Sequence, residues 1–186
     1  MNKEFTHLHL HTAYSINTGS ANIDKLINYA IKNNIRNLAI TDHLNLFAAV
    51  KFYQKCLENN IKPIIGCEIP IRNILKNQNP NIVLLCQNLV GYKNLIKLIS
   101  DAYFEKAINE NATTNISQIE KYNEGLILLT GGRNGVLGKN LLLDQTKIFQ
   151  QSFNKITEIF KSRMYIQIER TQRKFEKEYN NQSVLL

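Results

Sequence analysis

Histidine and leucine alternate from Thr6 to Thr12 (THLHLHT), and this stretch constrains the fold more strongly than any other part of the sequence. Successive side chains of a β-strand point to opposite faces, so His7, His9 and His11 would share one face and the leucines the other. Histidines two residues apart on a strand can bind one metal ion. The pattern predicts a strand with its leucines on the core and its histidines towards a site. The alternative is an exposed strand with solvated histidines.

Composition sets the size and the class of protein to expect. With 186 residues, 44% of them hydrophobic, the chain can bury a substantial core, and one domain is the simplest expectation. No apolar run approaches the roughly 20 residues of a membrane span, and Met1 to Glu4 has no hydrophobic signal core behind it. We therefore expect a cytoplasmic protein with no membrane partner.

The three cysteines, Cys56, Cys67 and Cys86, are odd in number and lie far apart in apolar segments. This placement favours small buried thiols in a reducing compartment over a disulfide framework or a CxxC metal site. We expect all three to be structural.

The chain is basic, with a net charge of +8 and a pI near 9.4, which favours polyanionic surroundings such as nucleic acid. The densest basic cluster, from Arg170 to Lys177, is interleaved with glutamates, as on a solvated helix. It lacks the alternation with aromatic residues that is typical of a base-stacking surface. A basic DNA-binding module is one hypothesis, but specific DNA readout by this chain itself is disfavoured.

Short apolar strands alternate with amphipathic helices after the histidine segment. The expected strands run over 37–40, 61–67, 82–86, 126–129 and 164–168. The expected helices run from Asn22 as N-cap, over 47–59, over 90–106, over 118–122, through 149–160, and from Thr171 to the end. This order predicts an α/β fold built on a parallel sheet or a barrel.

Two of these helices carry predictions about particular residues. Ser117 is expected to cap the short helix over 118–122. The helix over 47–59 is expected to have an apolar face with helical spacing, made of Phe47, Val50, Tyr53 or Gln54, and Leu57.

Candidate metal ligands follow one another at the ends of successive strands. Asp42 and His43 end the strand over 37–40, and Glu68 directly follows the strand over 61–67. Ligands of α/β folds collect at such strand ends. Together with His9 and His11, these residues form the kind of set that a metallo-phosphoesterase barrel needs, in which imidazoles and carboxylates hold divalent ions that activate water.

Five segments carry a family resemblance that covers nearly the whole chain. They closely resemble the N-terminal PHP (polymerase and histidinol phosphatase) domain of bacterial DNA polymerase III alpha subunits: FTHLHLHTAYSINTG (5–19), LAITDHLNLFAAVKFY (38–53), IKPIIGCE (61–68), GYKNLIKL (91–98) and GLILLTGG (125–132). The resemblance implies a distorted (βα)7 barrel over residues 1–186, at the N-terminus of a much longer DNA-directed DNA polymerase, a nucleotidyltransferase. It also implies that the polymerase's catalytic aspartates and the last strand of the barrel lie outside this sequence.

The resemblance also implies a set of metal ligands. His9 and His11 match the HxH pair of the family, His43 matches the histidine of its TDH motif, and Glu68 matches its bridging glutamate. Metal-binding members of the family hold up to three ions with such residues. These four residues are therefore the candidate ligands of this chain, whereas His7 lies at a flanking position.

Three positions depart from the metal-binding pattern of the family. Thr18 stands where such members have an acidic residue or histidine, Asn81 where they have histidine, and Gly132 where they have cysteine or histidine. The final Asp-x-His pair would fall beyond Leu186. We therefore expect a vestigial site with no metal or one weakly bound zinc, manganese or magnesium ion, no other cofactor, and no catalytic residues.

Members with such a degenerate site resemble a structural module. The resemblance then implies two direct partners, the remaining polymerase domains and the proofreading exonuclease subunit, with DNA reached only through the holoenzyme. The rival hypothesis is a residual metal-dependent phosphoesterase or 3′–5′ exonuclease that uses His9, His11, His43 and Glu68.

Overall fold

A computed structural model of the protein describes residues 5–16, 18–76, 78–106, 111–143 and 146–168. Its internal contacts divide the chain into two compact units, Met1–Glu68 and Ile69–Leu186. The helix expected from Thr171 lies outside the described residues. Within the ranges given, no helix is both long enough and apolar enough to cross a membrane.

The described residues of the first unit form two parallel strands and two helices. Its elements are α1 (Ile23–Lys32), β1 (Asn37–Ile40), α2 (Ala49–Glu58) and β2 (Lys62–Pro70). The last two residues of β2 already belong to the second unit. β1 and β2 are aligned so that Asn37 lies opposite Lys62 and Ile40 opposite Ile65. The parallel pairing predicted for successive βα units is therefore confirmed in this unit.

The helices and β1 of the first unit enclose an apolar core. α1 begins after Asn22, whose Oδ1 accepts a hydrogen bond of 2.9 Å from the amide of Asp24, so the predicted N-cap is confirmed. The core residues are Ile23, Ile27, Ala30, Leu38, Ile40, Ala48, Phe52, Cys56 and Ile61. The side chain of Leu10, from the histidine segment, packs against this cluster.

α2 packs on the core with a different face from the one predicted. Its buried residues are Ala49, Phe52 and Cys56. The residues expected to form its apolar face are exposed: Phe47, Val50, Tyr53 and Leu57. Both rows of residues have helical spacing. Ala49 and Cys56 have small side chains, so the face that carries them lets the helix pack closely on the core around Phe52. The expectation for this helix face was therefore wrong.

The histidine segment does not form the predicted strand. Residues 5–11 belong to no ladder, and Leu10 provides their backbone link to the end of β1. The carbonyl of Leu10 accepts a hydrogen bond of 2.8 Å from the amide of Thr41, while its own amide donates to Oγ1 of Thr41 at 2.9 Å. Because the second bond ends on a side-chain hydroxyl, the pairing does not continue as a ladder. Leu8 is exposed, so only one of the two leucines faces the core as expected.

The second unit contains a mixed sheet. Its elements are β3 (Asn81–Cys86), α3 (Leu89–Phe104), α4 (Ile116–Tyr122), β4 (Leu126–Leu129), α5 (Val136–Leu143), α6 (Thr146–Phe160) and β5 (Met164–Tyr165). β3 and β4 are antiparallel, with Leu84 opposite Leu128, and β4 and β5 are parallel. Two helices, α3 and α4, separate β3 from β4, whereas a βα unit has one helix between its strands. The additional helix reverses the direction of the chain once more, so β3 and β4 run in opposite directions. The all-parallel expectation was therefore wrong here.

Asn115, and not Ser117, caps α4. Oδ1 of Asn115 accepts a hydrogen bond of 3.0 Å from the amide of Gln118, and Oε1 of Gln118 accepts one of 3.1 Å from the amide of Asn115. This reciprocal pair is a capping box, which satisfies two backbone donors at once. α5 was not predicted from the sequence, whereas α6 covers the predicted row of Phe149, Phe153, Ile156 and Phe160.

Two glycines allow the start of α3 to lie directly against the residue before β4. A Cβ atom on Gly91 would lie only 1.9 Å from the carbonyl oxygen of Gly125. Gly125 itself has a φ of 71°, a conformation that other residues rarely adopt. The same carbonyl accepts a hydrogen bond of 2.9 Å from the amide of Gln87. The backbones therefore touch where any side chain would separate them.

The three cysteines are free thiols. Cys56 and Cys67 are buried, as expected, and Cys86 is partly buried. Burial raises the pKa of Cys56 and of Cys86 to about 12. Such thiols stay protonated at neutral pH, which fits a structural role and not a reactive one.

Candidate metal centre

The candidate site is organised around the carboxylate of Glu68. Three imidazole nitrogens surround it: Nε2 of His9 lies 3.4 Å from Oε1, and Nε2 of His11 and Nδ1 of His43 lie 3.2 and 3.1 Å from Oε2. Glu68 is only 5% exposed. The structure thus brings together all four residues that the sequence indicated as candidate metal ligands.

The sequence suggested that Glu68 follows the strand, whereas Glu68 lies within β2. β2 continues to Pro70, and Glu68 pairs with His43 in a parallel bridge just beyond the end of β1. The amide of Glu68 donates to the carbonyl of Asp42 at 3.1 Å, and its carbonyl accepts from the amide of Leu44 at 2.9 Å. Backbone pairing therefore holds the carboxylate of Glu68 beside the imidazole of His43.

His9 and His11 reach the carboxylate from the histidine segment. Their rings are 5.3 Å apart at an angle of 71°. Leu10, between them, is tied to Thr41 by three hydrogen bonds, which places both rings on the Glu68 side. His7 instead lies edge-on to the ring of Phe5 at 4.8 Å. His9 and His11 therefore occupy the site and His7 does not reach it.

Asp42 is not one of the groups around Glu68, although the sequence placed it among the potential ligands. Its carboxylate accepts three hydrogen bonds, from the amide of Thr12 at 2.7 Å, the hydroxyl of Thr12 at 2.7 Å and the hydroxyl of Ser15 at 2.6 Å. The oxygen of Ser15 in turn accepts a bond of 2.9 Å from the amide of His43. Asp42 therefore fixes the loop after His11 to the residue that carries the third imidazole.

Sequence reasoning missed Thr12 and Ser15. Both are buried hydroxyl residues in the polar loop after the histidines. The signal in the sequence was the run of polar residues in this loop, because the buried carboxylate of Asp42 needs hydrogen-bond donors. A single sequence does not show which hydroxyls supply them.

Two opposing effects act on the pKa of Glu68. Burial raises the pKa, but the imidazoles of His11, His43 and His9 outweigh burial and hold it well below the usual range for glutamate. Glu68 is therefore an anion throughout the neutral range. Its negative charge is the electrostatic feature that would attract a cation to this cluster.

The side chains of His9, His11 and Glu68 fit a single divalent cation. One ligand atom from each of the three lies within 4.8 Å of the others. Nε2 of His11 is buried and lies 3.2 Å from Oε2 of Glu68. Two ligands of a tetrahedral zinc ion lie about 3.3 Å apart, close to the 3.4 and 3.2 Å that separate His9 and His11 from Glu68. His43 contacts the same carboxylate from outside this group of three.

The three positions that depart from the family pattern differ in their surroundings. Oγ1 of Thr18 lies 3.0 Å from Nδ1 of His11, the ring nitrogen on the far side from Glu68. Asn81 opens β3, and Gly132 opens a short 3-10 turn with a φ of 60°. Both of these belong to the second unit.

Comparison with known proteins identifies one family and one group of relatives. A family model described as the PHP domain matches residues 7–171. The DNA polymerase III alpha subunit of Buchnera aphidicola (subsp. Schizaphis graminum) is 37% identical over 179 residues, which cover 95% of this chain and 15% of the relative. The alpha subunit of Escherichia coli K12 is 34% identical over 183 residues, covering 98% of this chain and 16% of the relative. The chain thus spans about one sixth of the curated relatives that it matches.

Two solved structures share the fold. One is a protein assigned as a metal-dependent phosphoesterase from Bifidobacterium adolescentis, with a TM-score of 0.52 and 10% identity over 96% of this chain and 84% of the other. The second is an amidohydrolase from Chromobacterium violaceum, with a TM-score of 0.50 and 12% identity over 79% of this chain and 74% of the other. At such identities the similarity is evidence for the fold alone.

Proposed function

This chain belongs to the PHP domain family, and from that membership we propose that it acts as a non-catalytic PHP domain of a bacterial replicative DNA polymerase. In this role it supports the remaining polymerase domains and docks the proofreading exonuclease subunit. The support comes from the relatives in Buchnera aphidicola, Borreliella burgdorferi and Escherichia coli, which are polymerase III alpha subunits many times longer than this chain. DNA would be reached through the assembled holoenzyme.

The main support for a non-catalytic role is the small number of metal ligands in the site. Among the described residues, one group of three side chains, His9, His11 and Glu68, has the geometry for a metal ion. Phosphoryl transfer at a metal cluster needs one ion to position the attacking water and others to neutralise the phosphate. Three ligands are enough for one ion only, and Thr18 contributes a hydroxyl to His11 in place of another ligand.

Calorimetry tests the docking role. The chain is titrated with the exonuclease subunit of the same organism at about 50 μM, a concentration that detects micromolar affinity. We expect a saturable exchange of heat, and expect it to be unchanged when Glu68→Gln removes the anion of the metal site. The absence of any measurable binding would contradict the docking role.

A second function, metal-dependent phosphoester hydrolysis, is favoured by one specific observation. The buried Nε2 of His11 has no hydrogen-bond partner and lies beside the Glu68 anion, as expected of a ligand. His9, His11 and Glu68 would hold the ion, and His43 would orient the Glu68 carboxylate through its contact with Oε2. A bound zinc or manganese ion would supply Lewis acidity and a more acidic bound water.

Elemental analysis and hydrolysis assays separate the two functions. Protein purified without chelators is analysed for bound metal and is assayed with a chromogenic phosphodiester and with single-stranded DNA in Mn²⁺ or Zn²⁺. The non-catalytic role predicts at most one ion per chain and no hydrolysis above that of His9→Ala. Hydrolysis that is lost in His9→Ala would establish the enzyme instead.

A further inference from the structure

We propose that Asn45 is a positioning residue of the metal centre, which fastens the backbone of His43 to the loop that follows His11. The carboxamide of Asn45 thereby sets where two imidazoles meet the carboxylate of Glu68. This inference rests on the metal-binding candidate for the site, and it names a residue that prepares the site without being one of its ligands.

Two imidazoles from separate parts of the chain meet at one oxygen of Glu68. Nε2 of His11 lies 3.2 Å from Oε2, and Nδ1 of His43 lies 3.1 Å from the same atom. His11 ends the histidine segment, whereas His43 follows the end of β1. Their convergence therefore depends on contacts that hold these two segments of backbone together.

The carboxamide of Asn45 makes such contacts. Its Nδ2 donates hydrogen bonds to the carbonyl of Tyr14 at 3.2 Å and to the carbonyl of His43 at 2.9 Å, while its Oδ1 accepts one of 3.1 Å from the amide of Phe47. Asn45 is only 8% exposed. Both hydrogens of Nδ2 and the oxygen are therefore used, and a buried carboxamide with these partners has one favourable orientation.

The peptide groups on both sides of His43 are fastened to neighbouring residues of the same loop. The amide of His43 donates to the hydroxyl oxygen of Ser15 at 2.9 Å, and its carbonyl accepts from Asn45. Asn45 in turn holds the carbonyl of Tyr14, the residue before Ser15. Attachment at two points fixes the direction of the backbone as well as its distance from the loop. Asn45 supplies the second of these points, and the bond between Ser15 and Asp42 supports the first.

The conformation of Leu44 shows why the second attachment is needed. Leu44 follows His43 with a φ of 54°, in the left-handed region that residues other than glycine rarely adopt. Such a conformation persists only where neighbouring contacts impose it. The hydrogen bond from Asn45 to the carbonyl of His43 spans Leu44 and closes the turn around it. Without this bond the backbone can relax towards an ordinary φ and turn the His43 imidazole away from Glu68.

A purely local role for Asn45 is the alternative. Its Oδ1 bonds to the amide two residues later, as asparagines do in many turns. The bond from Nδ2 to the carbonyl of Tyr14 goes beyond this role, because it reaches a different segment of the chain. Asn45→Ser separates the two roles, since its hydroxyl can still accept from the amide of Phe47 but is too short to reach Tyr14.

Amide hydrogen exchange of the metal-free chain, followed by nuclear magnetic resonance, tests the attachment directly. In Asn45→Ser the exchange of the His43 amide should accelerate at least about 10-fold, because a local opening exposes it to water. The amides of Ile35 and Ile61, which bond to carbonyls of α1 and α2, should exchange as in the wild type. An unchanged rate at His43, or an equal acceleration at all three amides, would overturn the proposal.

Zinc affinity measured by calorimetry provides the second readout. Loss of an outer contact of a metal site weakens metal binding by about 10- to 100-fold, so Asn45→Ser should lose at least about 10-fold. Asn22→Ala is the matched control, because the carboxamide of Asn22 caps α1 in the same unit. This control should unfold more easily than the wild type but keep its zinc affinity. Equal zinc affinities of Asn45→Ser and wild type would contradict the positioning role.

A double variant with His43→Ala shows through which residue Asn45 acts. If Asn45 positions His43, Asn45→Ser should cause no further loss of zinc affinity once the imidazole of His43 is absent. A loss as large as that in the wild type would contradict a role through His43. A wild type that binds no zinc would refute the metal-binding candidate, while the exchange of the His43 amide would still decide for or against the attachment by Asn45.

Discussion

The hydroxyl of Ser15 donates a hydrogen bond of 2.6 Å to the carboxylate of Asp42. This bond joins the loop after the first histidines to the end of β1, and the same oxygen of Ser15 accepts from the amide of His43. Asp42 is 2% exposed, so water does not compete for its oxygens. The arrangement of the metal site therefore depends on a residue that is not itself a ligand.

Asp42→Ala is expected to destabilise the protein by about 3 kcal/mol, because three buried donors on Thr12 and Ser15 lose their acceptor. Urea unfolding followed by circular dichroism measures the change. Asp24→Asn is the control, since Asp24 is an exposed partner of Lys55 and Lys51 and its loss should leave the unfolding midpoint unchanged. Equal midpoints for Asp42→Ala and wild type would contradict the role assigned to this carboxylate.

Glu68 is expected to stabilise the metal-free protein in a pH-dependent way. Its pKa in the folded state is lowered from the ordinary value, so its stabilisation is complete above the unfolded pKa of about 4.3 and decreases as the pH falls below it. Wild type and Glu68→Gln are compared by urea unfolding in EDTA at about pH 7 and about pH 3.5. The wild type should be more stable than Glu68→Gln at the higher pH, and this difference in stability should be smaller at the lower pH. A difference that grows on acidification would show that the pKa shift has the opposite sign.

Phe52→Ala should be far more destabilising than Phe47→Ala. Phe52 is fully buried in the core of the first unit, whereas Phe47 is 77% exposed. Removing a buried phenylalanine costs about 3–5 kcal/mol, and removing an exposed one changes stability by about 0.5 kcal/mol or less. Thermal or urea unfolding of the two variants side by side makes the comparison within one residue type. A larger loss of stability in Phe47→Ala than in Phe52→Ala would instead support the helix face that the sequence suggested.

Arg163→Ala should destabilise the second unit by about 2–4 kcal/mol. The guanidinium of Arg163 donates to the carbonyls of Asn123 and Leu126 at 2.7 and 2.5 Å, and its centre lies 5.3 Å from the ring of Phe160. Hydrogen bonds from a charged donor and the packing of its stem account for the size of the effect. The measurement is again urea unfolding. Lys155→Ala, which breaks an exposed ion pair with Glu120, serves as control and should stay within about 0.5 kcal/mol of wild type.

The sequence identified the members of the site better than their backbone setting. His9, His11, His43 and Glu68 were recognisable because imidazoles and a carboxylate next to apolar strands are unusual and matched a family motif. The predicted strand of histidines did not form, since a ladder needs a partner whose alignment the local pattern does not contain. Thr12 and Ser15 were missed because any hydroxyl of that polar loop could have served Asp42.

The fold was predictable wherever local signals were unambiguous. The Asn22 cap and the strand over 37–40 followed from such signals and were confirmed. α2 presents two rows of apolar residues, so periodicity alone could not select the row with Phe52. Asn115 and Ser117 are both good caps, and Gln118 at the third position decided for Asn115. The antiparallel pairing of β3 and β4 depends on a long-range return of the chain that no local window contains.

The contact between Gly91 and Gly125 limits how this part of the chain can change over evolution. A methyl group at position 91 would collide with backbone, and one at position 125 would also require an unfavourable φ. A substitution at either glycine is therefore harmful whichever residue occupies the other position. Neither glycine can be replaced first, so the pair cannot be lost by successive tolerated substitutions. The two segments that open with these glycines are expected to remain recognisable in distant relatives, even after the metal ligands of the first unit have been lost.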